Sequence, residues 1–341
     1  MLKKIVFFFP LIMILSLPLG AVGATDLKVF FVEPVLVFGK AGTGEGEFSI
    51  IDGVWVDRRG RILVTDKGNQ RVNFFSREGK YLGHFGSKGA GPGQFFQCTG
   101  IVVDGKDRII ISDQGNQRIQ VFDLDGKFIT AFGKYGTGDG EFMEPMGLAL
   151  DKKGFLYVTD GTRDDIQVFD RDFRFVKKFG KFEANTPALH RIESIAISSD
   201  GDVFVSDERN SRIQRFDLEG NWKAIIGGQG FGPGFFGREV EGLAIDNQGY
   251  LYAVDEDGGK IEIFSREGKW IRSMGGGPGT NPGQFKSSDG LHYSPLLDSI
   301  LVADQKNHRV QVFRRTDIWE NTPLPPSSGQ AGLPPAAGKS N

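Results

Sequence analysis

Apolar and polar positions along this chain alternate with a period of two over short runs, and the runs recur. GVWVD, GIVVD, GLALD, SIAIS, GLAID and GLHYS begin at Gly53, Gly100, Gly147, Ser194, Gly242 and Gly290. A second run follows each, reading RILVTD, RIIISD, FLYVTD, DVFVSD, YLYAVD or SILVAD, and then a third reading RVNFF, RIQVF, DIQVF, RIQRF, KIEIF or RVQVF. Alternation rich in β-branched and aromatic residues predicts strands. No window carries the 3.6-residue spacing of an amphipathic helix. The second runs end at Asp66, Asp113, Asp160, Asp207, Asp255 and Asp304, spaced 47 to 49 residues apart. That period belongs to the blades of a β-propeller and not to a helical solenoid.

A fourth run follows a turn such as REGK or LDGK and reads YLGHFG, FITAFG, FVKKFG, WKAIIGG or WIRSMGG. Only five copies stand after a third run. The sixth unit passes from RVQVF into RRTDIWENTPLPP, while PVLVFG at Pro34 to Gly39 stands unattached ahead of the first unit. The economical arrangement is a six-bladed ring whose last blade is completed by the N-terminal strand, which removes the edges an open sheet would expose. The propeller is then expected over residues 25–320, and the Pro-, Gly- and Ser-rich stretch 321–341 as a disordered tail.

Composition agrees with this picture. Glycine supplies 49 of 341 residues while 25% are charged, so the chain is rich in turns and not of disordered composition. Residues 1–24 have a short basic start, an apolar run broken by Pro10 and Pro18, and small residues ending at Ala24. This is the layout of a secretory signal cleaved after Ala24, with a retained membrane anchor as the alternative. A secreted or periplasmic location follows, with no membrane span in the mature chain. The single cysteine, Cys98, excludes an internal disulfide and is expected to be a packed core residue. The net charge of −2 includes two lysines of the first 24 residues, so the remainder is more acidic still and offers no basic stripe for nucleic acid.

Written GIxVDxxGxIxVxDxxNxRIQVFDxxGxFxxxFG, the unit resembles the NHL repeat, over about residues 34 to 314 in six copies. The resemblance implies the propeller fold. It leaves function open, because such propellers serve as protein-binding, RNA-binding, sensing and occasionally enzymatic modules.

The DxxNxR element stands intact as Asp66, Asn69 and Arg71; Asp113, Asn116 and Arg118; Asp207, Asn210 and Arg212; and Asp304, Asn307 and Arg309. Its repetition argues for a strand connection tied by an arginine fork and against catalysis. Blade three departs from it with Arg163, Asp164 and Asp165, and blade five with Asp257, Gly258 and Lys260, so both are read as having lost the shared turn chemistry. The glycine-rich segments GTGEGEF, GAGPGQF, GTGDGEF, GQGFGPGFF and GPGTNPGQF lead into strands and not helices, which excludes a dinucleotide fingerprint. Blade four lacks that segment and carries His190, Arg191 and Glu193 instead.

Where copies agree, the shared residues build a blade, so a specialised site must use positions where they differ. Arg163, Asp164, Asp165, His190, Arg191, Asp257 and Lys260 are such positions, and the loops bearing them emerge on one face. One residue ahead of the six first runs stand Asp52, Thr99, Met146, Glu193, Glu241 and Asp289. If these surround the channel mouth, four carboxylates converge there, able to attract a basic ligand or to hold a hard cation such as calcium. His84, His190, His292 and His308 show no zinc spacing, and no nucleophilic serine or cysteine signature occurs. The expected function is therefore a monomeric binding platform for a protein, peptide or envelope component, without a cofactor. The alternative is a calcium-type, metal-dependent hydrolase or lyase at the channel mouth.

Overall fold

The computed structural model describes residues 32–180 and 187–319. Six four-stranded antiparallel sheets stand around a central channel, five of them with all four strands in sequence order from the axis outward. The innermost strands are Ile51–Val56, Cys98–Val103, Pro145–Leu150, Ile192–Ile197, Val240–Ile245 and Ser288–Ser294. Each packs beside its two neighbours, and the sixth packs beside the first, so the ring is closed. The last blade takes its outermost strand from Leu36–Phe38, paired antiparallel to Arg309–Arg314 with Leu36 opposite Val312 and Phe38 opposite Val310. The sixth unit's RRTDIW stretch forms a short helix, Arg315–Trp319, and not a strand. The signal-like segment 1–24 and the tail 321–341 lie outside the described residues. Among those described, no helix is long and apolar enough to cross a membrane.

The core consists of apolar clusters shared between adjacent blades. One joins Ile51, Val54, Ile62, Val64 and Phe75 of blade one to Leu301, Ala303, Val310 and Val312 of blade six. The phenylalanine that ends each glycine-rich segment, Phe48, Phe95, Phe142, Phe236 or Phe285, is buried between blades. Each such ring is worth about 1.5–3 kcal/mol in burial alone, which explains why the segment recurs without any ligand. Cys98 is a buried free thiol, the packed core residue expected of a lone cysteine.

The repeat element is scaffolding. Asp113 accepts from the Phe96 amide (2.8 Å), the Asn116 amide group and the Arg118 guanidinium (2.8 Å). Arg118 reaches on to the carbonyls of Gly91 and Gln94, clamping the glycine-rich loop. Arg71, Arg212 and Arg309 make the same kind of clamp on Gly44, Ala188 and Asn281. Blade three corrects the expectation that its clamp is lost. Arg163 stands where asparagine usually does, pairs with Asp165 at 2.7 Å, and donates to the carbonyls of Gly138 and Glu141. Replacing Arg71, Arg118, Arg163, Arg212 or Arg309 with alanine should each cost about 1–3 kcal/mol, the range for bonds from a charged donor, measured by denaturant unfolding, with ligand binding retained.

Candidate functional site: the channel mouth

Every innermost strand slips register near its start, between Ile51 and Val54 in blade one and at the matching place in the other five. A bulge re-aims the side chain it contains. Here it turns Asp52, Thr99, Met146, Glu193, Glu241 and Asp289 to the channel wall. The hydroxyl of the threonine–aspartate doublet that ends the second run supports the bulge: Thr65 Oγ1 accepts from the Gly53 amide at 2.7 Å and donates to the Thr99 carbonyl of the next blade at 2.7 Å. Glycine follows the ring residue in five blades because the strands approach too closely for a side chain; a Cβ at Gly290 would overlap the Asp52 carbonyl. Blade four has Ser194 there, and its hydroxyl accepts from the Leu243 amide at 3.0 Å.

The cavity behind this ring has a volume of about 210 Å³, acidic at its upper end and apolar deeper, where Trp55, Leu148, Ile195 and Leu243 line it. His292 packs against Trp55 with ring centroids 4.1 Å apart and planes inclined by 35°, and burial holds its imidazole down to about 3. Two further sets of repeat positions crowd the rim. The residue after each doublet aspartate is Lys67, Gln114, Gly161, Glu208, Glu256 or Gln305, and the residue two before each ring position includes Glu144, Arg191 and Glu239. Reading these columns beside the ring residues would have found Lys67, Glu208, Glu239 and Glu256, which the sequence analysis passed over.

The mouth is electrostatically uneven. On the side of blades one and six, the Lys67 ammonium lies 3.0 Å from Asp52 and 3.7 Å from Asp289. On the side of blades four and five, Arg191 pairs with Glu208 at 2.7 Å and Glu144 at 3.2 Å. Among the described residues no basic side chain stands within ion-pair distance of Glu193 or Glu241. These carboxylates manage by sharing protons. Burial and the neighbouring Glu193 charge push Glu241 well above the usual carboxylate range and Glu208 up to about 8. Burial opposes ionisation of Glu193 too, but hydrogen bonds from Glu241 and Glu208 hold it below its ordinary value. A hydrogen bond with Glu256, together with burial, raises Glu239 to about 7. The Thr99 hydroxyl, buried and without a hydrogen-bond partner, stands in the ring between Asp52 and Met146.

Of the loop positions singled out from the sequence, Arg191 joins this cluster, and Asp164 holds it by accepting from the Arg191 amide at 2.6 Å. His190 presents an exposed side chain beside it, its amide bonded to Asp207. Arg163 and Asp165 face each other inside blade three. Asp257 pairs with Arg238 at 2.8 Å, and Lys260 turns inward to Asp255 and Glu262.

Residues 43–111 and 105–180 match a family described as a 6-bladed beta-propeller, and residues 189–216 match the NHL repeat. Protein lin-41 of Caenorhabditis elegans is 45% identical over 49 residues, a stretch that makes up 14% of this chain and 4% of that protein. A structure from Bacteroides thetaiotaomicron, of unknown function, superposes with a TM-score of 0.64 at 16% identity, covering 83% of this chain and 75% of the other. A gluconolactonase of Xanthomonas campestris gives 0.61 at 15%, covering 79% and 87%. The virginiamycin B lyase of Staphylococcus aureus gives 0.55 at 13%, covering 78% and 84%. Identities this low carry the fold alone.

Proposed function

This chain is a six-bladed β-propeller of the NHL-repeat family, and we propose that it works as an exported binding platform whose channel mouth takes a cationic group of a protein, peptide or envelope component. The observation that carries this reading is the Lys67 ammonium seated between Asp52 and Asp289, opposite Glu193 and Glu241, which have no such partner among the described residues. Half of the mouth already holds an amine supplied by the chain. The other half offers Glu193 and Glu241 in the ring with Glu208 beside them, and the protons raised onto Glu241 and Glu208 are what an incoming ammonium or guanidinium would displace. A rim of fixed carboxylates suits oriented recognition of such a group and repels phosphate backbones. Export rests on the signal-like segment 1–24.

The second reading places calcium at the same mouth, as the basis of hydrolase or lyase chemistry. It is favoured by the spacing of carboxylate oxygens: those of Glu193, Glu208 and Glu241 lie within 4.8 Å of one another, as do those of Glu239, Glu241 and Glu256. All-oxygen donors suit a hard cation. Two proteins with similar folds are a lyase and a gluconolactonase.

Calorimetric titration of a lysine-rich peptide alone and of calcium chloride alone, in buffers of different ionisation enthalpy, separates the readings. The peptide is expected to bind at pH 8 with release of protons, and calcium to compete with it. Calcium binding without peptide binding would favour the second reading, and the absence of both would overturn the site.

A further inference from the structure

The glycine-rich loop that leads into blade five has lost each device that holds its counterparts. Elsewhere an arginine clamps the loop carbonyls, as Arg71 does on Gly44 and Arg309 on Asn281. The asparagine of the repeat adds a bond, Asn69 to Gly42, Asn116 to Gly89 and Asn307 to Gly279. A glutamate or glutamine inside the loop caps one of its own amides: Glu47 at Gly44, Gln94 at Gly91 and Glu141 at Gly138, each at 2.9 Å. In blade five the arginine is Lys260, committed to Asp255 and Glu262; the asparagine is Gly258; and the capping residue is Phe235. What remains is the buried Phe236, three backbone bonds within the loop, Gly230 to Phe236, Phe235 to Gly232 and Phe236 to Gly228, and just beyond it the Gly237 amide bond to Asp255 at 3.0 Å.

The same loop puts two phenylalanines into solvent. Phe231 is 97% exposed and Phe235 45%, and Glu239 and Glu241 of the mouth follow within six residues of Phe235. A repeat that elsewhere spends this position on a polar cap has here exchanged anchoring for apolar surface, on the loop that runs from the outer strand of one blade to the acidic mouth. We propose that Phe231 and Phe235 form an adaptable apolar finger that, with the carboxylates of the mouth, selects a protein segment carrying both basic and aliphatic or aromatic residues. This deepens the binding reading above and rests on it. Charge complementarity fixes the basic residue, since the neighbouring carboxylates lack a cation. The aromatic pair supplies the contact type that dominates interface energetics, and the unclamped loop lets it close over side chains of different shape.

The test uses two short synthetic probes, one alternating lysine with leucine and one alternating lysine with serine, with binding read by fluorescence anisotropy. The wild-type protein is expected to hold the lysine–leucine probe at least tenfold tighter than the lysine–serine probe. Phe231→Ser with Phe235→Ser should erase that preference, leaving affinity for the lysine–serine probe unchanged. Glu193→Gln with Glu241→Gln should weaken both probes. A serine variant that discriminates as wild type does would overturn the finger while leaving the mouth intact. If neither probe binds wild-type protein, the mouth reading falls and the finger with it. Phenylalanine-dependent sedimentation with phosphatidylglycerol–phosphatidylethanolamine vesicles, without discrimination between probes, would overturn the proposal in favour of a membrane surface. A phenylalanine-dependent dimer in sedimentation velocity would do so in favour of a second copy. Both side chains lie on the surface, so unchanged melting of the serine variant checks that the fold is intact.

Discussion

A mature chain lacking residues 25–39 is expected to lose its cooperative melting transition and to aggregate. The strand Leu36–Phe38 is the outer wall of the last blade, and its removal strips the backbone partners from Val310 to Val312. The Val35 amide bond to the Val312 carbonyl at 2.8 Å goes with it. Side chains are lost as well: Leu36 and Phe38 pack against the cluster joining blades six and one, with the Phe38 ring centred 4.6 Å from Phe75. Two half-buried apolar side chains are worth about 1.5–3 kcal/mol together in burial, which adds to the lost backbone pairing against the ~5–15 kcal/mol that holds a typical domain folded. The exposed third strand, RVQVFR, would then be an unprotected edge of the kind that templates aggregation. Circular dichroism melting and size-exclusion chromatography read both effects. A truncated protein that melts like the full mature chain would show that the ring does not depend on this closure. Removal of residues 321–341 serves as the control and should move the melting temperature little.

The orphan PVLVFG was legible because the repeat leaves a countable gap: five fourth strands for six units. The strands themselves were legible for the same reason, since each position is read six times. What the pattern did not reveal is how columns from different parts of the repeat meet in space. Lys67 and Asp52 are fifteen residues apart in sequence, Asp52 on the first strand and Lys67 in the turn after the second, so neither column alone shows that they pair. The bulge at each first strand breaks the alternation that identifies strands, and it hides the turn of the ring residues toward the axis. Arg163 was legible as a departure but not as a substitute, because a guanidinium reaching the loop carbonyls from the asparagine position preserves function without preserving pattern. In blade five the reverse holds. Lys260 looks like a conservative replacement of arginine, yet a single ammonium cannot serve both the buried carboxylates and the loop carbonyls, and the loop goes unclamped.

Reversing the charge at the mouth, with Glu193→Lys and Glu241→Lys together, is expected to abolish binding of the lysine-rich peptide, whereas Arg58→Glu with Lys152→Glu should leave it within about twofold. The two pairs test opposite faces. Arg58 and Lys152 lie in the turns between first and second strands, at the far end of the channel from the ring residues. A lysine at either glutamate places an internal ammonium where the ligand's would sit, copying what Lys67 does for Asp52, so the site is filled as well as inverted. A loss of at least a hundredfold is expected, about 2.7 kcal/mol at tenfold per 1.4 kcal/mol. The sign of the pH dependence separates this from simple unfolding. Glu239 and Glu208 titrate in the folded state near 7 and 8, above their ordinary value of 4.5. Between those values the folded protein binds more protons than the unfolded chain, so wild-type stability is expected to fall as pH rises from about 5 to 9. Peptide affinity should move the other way, strengthening over that range as the carboxylates ionise. The double lysine variant should show a flatter stability profile, because its ammonium groups favour the ionised form of Glu208. Equal loss of peptide binding from both pairs of substitutions would put the working surface elsewhere on the molecule. Unchanged binding in both would leave the outer edges of the blades or the segment 321–341 as the contact region.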